Sequence, residues 1–550
     1  MRDRRQEVAY DWLGVHTEVA KQQYGLGEER KEMTPMTLDV VIVGAGPTGL
    51  MLACELGLVG IRATVLEKLP SPTGLSKALG LQSRTMEMLD HRGLLERFSA
   101  GRSAPPFANF AMFHLNLHTI PFGHPSGVVI PQSDIEQLLE ARARELGAEI
   151  LRGHEITGVH QEEDLVRVGI VGPNGAYEER CHYLVGCDGG HSAVRTLSGI
   201  GFPGLGPTVI ARFADVTIGE EAKPLLKHAV PELHDQNFGI ARTETGNFAI
   251  VPLGSGITRV AAVEWDQAQV DRDVPMTLDE LQEALLRVIG TKLPMSEPRW
   301  MTRATDTSRQ AERYRDGGVL LAGDAAHVHF AYGGMGLQTG VQDAGNLGWK
   351  LAAQIHGWAP PGLLDTYNTE RQPVGKRVLM ATRAATALAR PGEHVTALRE
   401  LVSELLKQEQ VFRTIIEMIT SVDVHYEMDA GGRDPHPLLG HWAPDLPLAT
   451  AAGKTRVPQL MHSGRAVLLD LADRTALRDA AASWSDRVDV VVAQCEGQSA
   501  PADAFLIRPD GYVAWVASAQ DADYEAEMQL RYALATWFGP KDDLVCAQGG

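Results

Sequence analysis

The chain is poor in cysteine: five thiols in 550 residues, Cys54, Cys181, Cys187, Cys495 and Cys546, with no CxxC pair among them. Neither a disulfide framework nor a zinc site is indicated, so no metal is expected and a reducing, cytoplasmic location is. Basic charge is also short, 51 Lys and Arg against 70 Asp and Glu, for a formal net charge of -19. That balance opposes approach to phosphate backbones and anionic lipid, and so excludes nucleic acid and membrane surfaces as expected partners. No window approaches the ~20 uncharged apolar residues of a spanning helix. Residues 1–36 lack the apolar core of a secretion signal and are expected to form a polar N-terminal extension. Repeats and low-complexity tracts are absent, and no Ser/His/Asp or paired-carboxylate arrangement stands out from spacing.

What is present is the composition of a large core, 44% hydrophobic and 22% charged. From Leu38, LDVVIVGAGPTGLMLACELGLVGIRATVLEK reads as an apolar strand, a glycine turn, a helix and a second apolar strand ending in Glu67, one parallel βαβ unit. Gly44, Gly46 and Gly49 stand at GxGxxG spacing at the helix start, where backbone can approach a pyrophosphate. Glu67 falls 23 positions after Gly44, placed to accept hydrogen bonds from an adenosine ribose. Two further acids follow apolar strands: Asp188 in YLVGCDGGHSAVR and Asp324, a buried-looking acid, in AGDAAHVHFAYGGMGLQTG. A dehydrogenase using only NAD has no need of them, whereas the ribityl chain of a flavin has hydroxyls that want buried acceptors. FAD is therefore favoured.

Elsewhere the pattern changes. Residues 107–131 and 205–300 alternate apolar and polar positions between frequent turns, as an antiparallel sheet does. Apolar positions at Leu398, Leu401, Val402, Leu405 and Leu406 predict a helix running toward Thr420, and GGRDPHPLLG (431–440) marks a boundary. Beyond it AVLLDLA, VDVVVAQ and AFLIR are strands, and Pro509-Asp510-Gly511 turns into YVAWVA, suiting a small α/β sandwich.

The trio GAGPTG, GCDGGHSAVR and LAGDAAHVHFAYGGMGLQTGVQDAGNLGWKLA resembles the para-hydroxybenzoate hydroxylase family of single-component (group A) flavoprotein monooxygenases. GHWAPDLPL with GRAVLLDLA and LIRPDGYVAWV resembles the C-terminal thioredoxin-like domain of its aromatic polyketide hydroxylase branch. The resemblance spans roughly 38–540 and implies an α/β fold: a Rossmann-like FAD-binding domain (37–106, 132–210 and 301–363), an inserted antiparallel-sheet substrate domain (107–131, 211–300 and 364–425), and a thioredoxin-like domain (426–550). It implies a monooxygenase that consumes NAD(P)H, NADPH by preference, and dioxygen. Oxygen passes through a flavin hydroperoxide to a polycyclic aromatic polyketide in antibiotic biosynthesis. A Baeyer-Villiger or ring-cleaving outcome, and more remotely a non-oxygenating flavin-binding protein, stay open, as does a homodimer.

By the same resemblance Gly44, Gly46, Pro47, Thr48 and Gly49 cradle the pyrophosphate, Glu67 and Lys68 hold the adenosine end, Gln132 touches the cofactor, and Gly323 and Asp324 meet the ribityl chain. Asp188 has a double assignment in the family, bracing the pyrophosphate region and helping bind the reduced nicotinamide. Lys77 stands where the family carries an arginine beside the phosphates, with Arg84 in the following helix as a possible substitute. His327 is expected to be structural, and packing is the ordinary role for Tyr314 and Tyr332. Gly333, Gly334, Gly336 and Leu337 keep the pattern that turns backbone amides toward the isoalloxazine. Phe330, Ala331, Met335 and Gln338 depart from it: the family has a proline pair, a polar residue and an asparagine there. Losing proline restores two amides and frees the backbone. Phe330, Ala331, Tyr332, Gly333 and Gly334 are thus candidates to lie near flavin and substrate, with Phe330 packing against one of them.

Overall fold

The computed structural model describes residues 37–541 except 103–106, 117–126, 232–238, 255, 268–273, 430, 431, 433 and 498. The expected N-terminal extension and Cys546 lie outside the described residues. The continuous apolar run of strand Leu38–Val43 sits at the centre of a parallel sheet, between Ala63–Glu67 and Gly175–Gly186, with Glu149–Arg152 beyond the first and Val319–Leu321 beyond the second. Val40, Val41, Ile42, Val65, Leu184, Val185, Leu320 and Leu321 are fully buried, as strands covered on both faces must be. Glu155–Gln161 and Val166–Gly172 extend the sheet as an antiparallel meander that the apolar periodicity does not announce. Helices Pro47–Leu58 and Met335–Ile355 pack together so closely that a Cβ on Gly348 would stand 2.5 Å from Cβ of Glu55.

The expected second sheet has five strands in the order Gly239–Arg242, Asn247–Gly254, Ile257–Trp265, Val209–Ile218, Met295–Thr305, all antiparallel. Its last strand carries it past residue 300, to Thr305. One face packs on helix Leu278–Ile289 through Ala214, Val216, Val260 and Ala262; the other turns toward the glycine loops. The 107–131 segment does not join it. Phe107–Phe110 and Phe113–Asn116 form a separate hairpin, residues 117–126 lie outside the described residues, and Val128–Val129 pairs with Gly80–Leu81. Hairpin residues Phe110 and Leu115 pack instead on Val378, Ala381 and Ala385 of helix Thr366–Ala389.

The helix expected through Leu398 toward Thr420 is two helices, Glu393–Leu405 and Glu409–Thr420. The first buries none of its residues and leaves Leu398, Leu401 and Leu405 at 49%, 57% and 46% exposure, so its apolar spacing does not mark a core face here. The C-terminal sheet contains all four expected strands, Ala466–Asp470, Val488–Cys495, Ala504–Ile507 and Val513–Ala517, plus the hairpin Pro447–Thr450/Gly453–Arg456. Alternate residues separate to its two faces: Leu468, Leu506 and Trp515 with helix Asp523–Phe538, Val467, Leu469, Phe505 and Ile507 with Val457 and Met461.

Candidate active site

The GxGxxG turn owes its shape to close approach. Gly44 has φ +106°, its amide donates to the Leu66 carbonyl at 2.7 Å, and a Cβ there would stand 2.5 Å from the Cys187 carbonyl oxygen. A Cβ on Gly49 would stand 2.1 Å from the Gly44 carbonyl oxygen. Only glycine fits either position. Beside Gly46, by contrast, a Cβ would meet nothing within 4 Å, and the helix beginning at Pro47 has no side-chain cap. Its N-terminal amides face open space, a ready anion site.

Three remote segments converge here. The Thr48 hydroxyl lies 2.7 Å from the Cβ position of Gly323 and 2.3 Å from that of Gly340, while Cys187 and Asp188 close over Gly44. Glu67 accepts the amides of Ala45 and Leu69, each at 2.9 Å, and thereby fixes the turn from the end of its strand. Lys68 and Lys77 are exposed beside it. Gln132 accepts the Ala78 amide at 3.2 Å and donates to Glu136 at 2.8 Å. Asp188 Oδ2 accepts the amides of Ala193 and Val194 at 2.6 and 3.1 Å; its Oδ1 is buried with no partner among the described residues.

Two expectations are corrected. Asp324 is exposed, close to the start of helix Met335–Ile355. The carboxylate that is fully buried is Asp343, one turn after Thr339 in that helix. Asp343 accepts from the Gly323 amide at 3.1 Å, His327 Nε2 at 2.8 Å and Arg371 Nε at 2.7 Å, so it braces the loop that carries Asp324. Burial opposes its ionisation, but Arg371 and His327 outweigh that and hold its carboxyl below the usual range. Arg84, the other correction, is neither near the phosphates nor solvated. It is 4% exposed, donates to the carbonyls of Ser421 and Val422, pairs with Glu87, and lies over the Trp442 ring.

The departures from the family pattern are anchored outward. Phe330, 3% exposed, sits edge-on to Tyr332 at 4.7 Å and packs among Val209, Ala211, Val263 and Trp265 of the five-stranded sheet. Tyr332 donates to Asn247 Oδ1 at 3.0 Å, and burial raises its phenol pKa, so it stays protonated. His329 Nδ1 meets the Phe330 carbonyl at 2.9 Å, and burial lowers its imidazole pKa toward the neutral form. Ala331 is exposed and Gly333 and Gly334 take φ +81° and +64° before the uncapped helix at Met335. Both polar atoms of Gln338 are spent on the backbone of Gly80 and Gln82, and Leu337 packs on the parallel-sheet core. Buried Tyr314 donates no bond to the loop; its hydroxyl accepts from Gln310 at 2.8 Å.

The sheet face turned to these loops has a row running Ile240, Ala249, Ala261, Phe213, Thr302 by strand register. All but Ala261 are partly accessible. On one side Asn247, Val263 and Ala211 meet Tyr332 and Phe330; on the other Arg259 pairs with Asp215 at 2.8 Å and donates to the carbonyls of Ser76 and Lys77. Asp343, Arg371, Asn247, Arg259 and Asp215 are absent from the sequence reading. One signal was available: Thr339, Gln342, Asp343, Asn346 and Lys350 recur at helical spacing in a segment otherwise rich in Gly, Ala and Leu.

Residues 37–382 match the family described as FAD binding domain, and residues 436–540 match the aromatic-ring hydroxylase C-terminal family. The chain belongs to the FAD-dependent aromatic-ring hydroxylases. Among similar proteins, the 12-dehydrotetracycline 5-monooxygenase/anhydrotetracycline 6-monooxygenase of Streptomyces rimosus is 47% identical over 92% of this chain and 99% of its own. A rifampicin monooxygenase of Streptomyces venezuelae is 42% identical over 91% and 98%. The solved structure of OxyS anhydrotetracycline hydroxylase from Streptomyces rimosus superposes with TM-score 0.84 at 46% identity, covering 92% of this chain and 100% of that one. The enzyme is thus an FAD-dependent monooxygenase that uses a reduced nicotinamide and dioxygen. Its residues fit FAD: open space stands at Gly46, and Asp188 Oδ1, His329 Nε2, Gln82 Oε1 and Asn109 Nδ2 are buried without partners among the described residues. Also among the described residues, no group of His, Cys, Asp and Glu could hold a metal, and no helix is long and apolar enough to cross a membrane.

Proposed function

We propose that this monooxygenase hydroxylates a flat, polycyclic aromatic polyketide in antibiotic biosynthesis, with NADPH as reductant, in the cytoplasm. The observation that carries the reading is the accessible row Ile240, Ala249, Phe213, Thr302, a broad apolar wall opposite the flavin-facing loop. The charges beside it are already paired, Arg259 with Asp215, so the wall selects an uncharged ring system rather than a carboxylate. The named substrates of the tetracycline and rifampicin relatives support the same class.

Bound FAD supplies hydride acceptance and oxygen activation. The chain's own work is to hold and shield it. Gly44, Gly46, Pro47, Thr48 and Gly49 take the pyrophosphate at the open helix start; Glu67, Lys68 and Lys77 take the adenosine side; Asp188, Gln132 and Asp324 orient the remainder. Gly333, Gly334 and Gly336 present backbone to the ring system. Phe330 closes the seam between loop and sheet against water, which replaces the rigidity that a proline pair would give. The Tyr332 hydroxyl, bonded to buried Asn247 at the edge of the wall, and Thr302 in the wall itself are the polar groups we assign to a phenolic oxygen. The test is mass analysis of products from naphthacene- and benz[a]anthracene-type phenols under isotopically labelled dioxygen. One labelled oxygen on an intact skeleton is the expected result. A lactone or cleaved ring would replace hydroxylation with Baeyer-Villiger chemistry, and an unlabelled product would end the oxygenase reading for this substrate class.

A further inference from the structure

A hairpin turn normally points to water, and Pro509-Asp510-Gly511 reads as one. Instead Arg508 is fully buried and Asp510 is 7% exposed. Arg508 forks onto both oxygens of Glu370 at 2.7 and 2.8 Å and binds Asp510 through Nε at 3.0 Å. Glu370 also accepts from Lys350 at 2.7 Å and Asn346 at 2.6 Å, and Asn346 donates to Asp510 at 3.0 Å. The Pro509 carbonyl accepts from Arg92 at 2.7 Å, and Arg92 pairs with Glu55 at 2.8 Å. A Cβ on Gly511 would stand 2.8 Å from the Trp442 ring.

One turn therefore grips helix Met335–Ile355 directly through Asn346 and, by way of Glu370, through Lys350, and reaches helix Pro47–Leu58 through Arg92 and Glu55. These are the two helices whose uncapped N-termini begin in the cofactor-binding loops. Glu370 adjoins Arg371, which holds Asp343 and through it the Gly323 amide. Three cations, Arg508, Lys350 and Arg92, balance three anions, Glu370, Asp510 and Glu55, inside the cluster. Such a buried network adds little net stability over an apolar packing of the same volume, but it is intolerant of a shift along the helix axis, which would separate its charges.

We propose that the 508–511 turn is a docking key by which the C-terminal unit sets the position of the two cofactor-facing helices, and that Arg508 and Asp510 are positioning residues for FAD binding. The proposal does not depend on which substrate is hydroxylated. Coupling of this kind is reciprocal, so FAD binding must in turn tighten the turn.

The test is FAD affinity of apoprotein whose far-UV circular dichroism shows it folded. Arg508→Gln and Asp510→Asn are expected to weaken FAD by about tenfold, the ordinary scale of coupling between separate sites. Arg508→Lys, which keeps the charge without the fork, should fall between them and the parent, and the visible absorption of the bound flavin should shift. Variants that melt earlier but bind FAD within about twofold of the parent would reduce the turn to domain glue and overturn the proposal. Should Arg508→Gln not fold, hydrogen exchange on the unaltered enzyme decides: FAD is expected to slow exchange at 508–513, and protection confined to the glycine loops would reject the key.

Discussion

Asp343 matters more to the site than its sequence context suggests, because it joins three partners while fully buried. Replacing it with Asn leaves the Arg371 guanidinium buried beside a neutral amide, which costs about 3–5 kcal/mol. Chemical denaturation of Asp343→Asn should show that loss, and retained FAD binding at parental affinity would contradict its bracing of the Gly323 loop. Phe330 carries a separate expectation. Truncation to Ala empties a cluster of five-stranded-sheet residues and should lower stability by about 3–5 kcal/mol, measured by urea unfolding. The Phe330→Pro/Ala331→Pro pair removes the same aromatic ring but restores backbone stiffness. An altered product ratio or altered coupling of NADPH oxidation to hydroxylation is expected, and unchanged values would make the departure from proline neutral. At this scale the sequence was informative where chemistry follows chain-local shape, as at Gly44 and Glu67. It did not announce the exposure of Asp324 or the burial of Arg84, which depend on what a distant segment lays over them.

Helix Met335–Ile355 buries nearly every side chain, so its polar residues had to find partners inside the protein. Asp343 and, two turns on, the Lys350–Glu370 pair are those solutions. Glu370, like Asp343, is held below the usual carboxyl range: burial opposes this, and Arg508 with Lys350 prevails. Since both carboxyls titrate lower in the folded than in the unfolded chain, their contribution is complete above about pH 4, the unfolded value. It is lost as pH falls further, through the folded values. The melting temperature should thus hold between neutrality and about pH 5 and decline below about pH 4, and Glu370→Gln should show a shallower decline. Lys350, lowered to about 8 mainly by burial, costs stability while it is charged, and that cost is relieved as pH rises past that value, so its slope with pH has the same sign. Helix Glu393–Leu405 teaches the converse lesson. Apolar residues at helical spacing specify a helix, yet they do not guarantee that a partner covers it.

At the scale of the whole chain, the C-terminal unit shares a core with the cofactor domain. Trp349, Ala353 and Leu363 are buried in the same cluster as Trp484, Leu506 and Phe538. A chain ended at residue 435 would expose that apolar patch together with the Lys350–Glu370 pair, stripped of Arg508. It is expected to aggregate or to lose FAD, by size-exclusion chromatography and absorbance, and a monomeric yellow fragment would refute this. The sequence by itself determined the parallel βαβ unit, an antiparallel insertion and the C-terminal strands, because periodicity and glycine turns are properties of neighbouring residues. It pointed to the cofactor class through three motifs read together. Only the tertiary structure decided that Asp343 rather than Asp324 is the buried acid, that Arg84 serves the C-terminal contact, and that a surface-looking turn at Asp510 is interior. Each of those outcomes rests on desolvation and on partners more than a hundred residues away or on another element, and neither is encoded in local spacing.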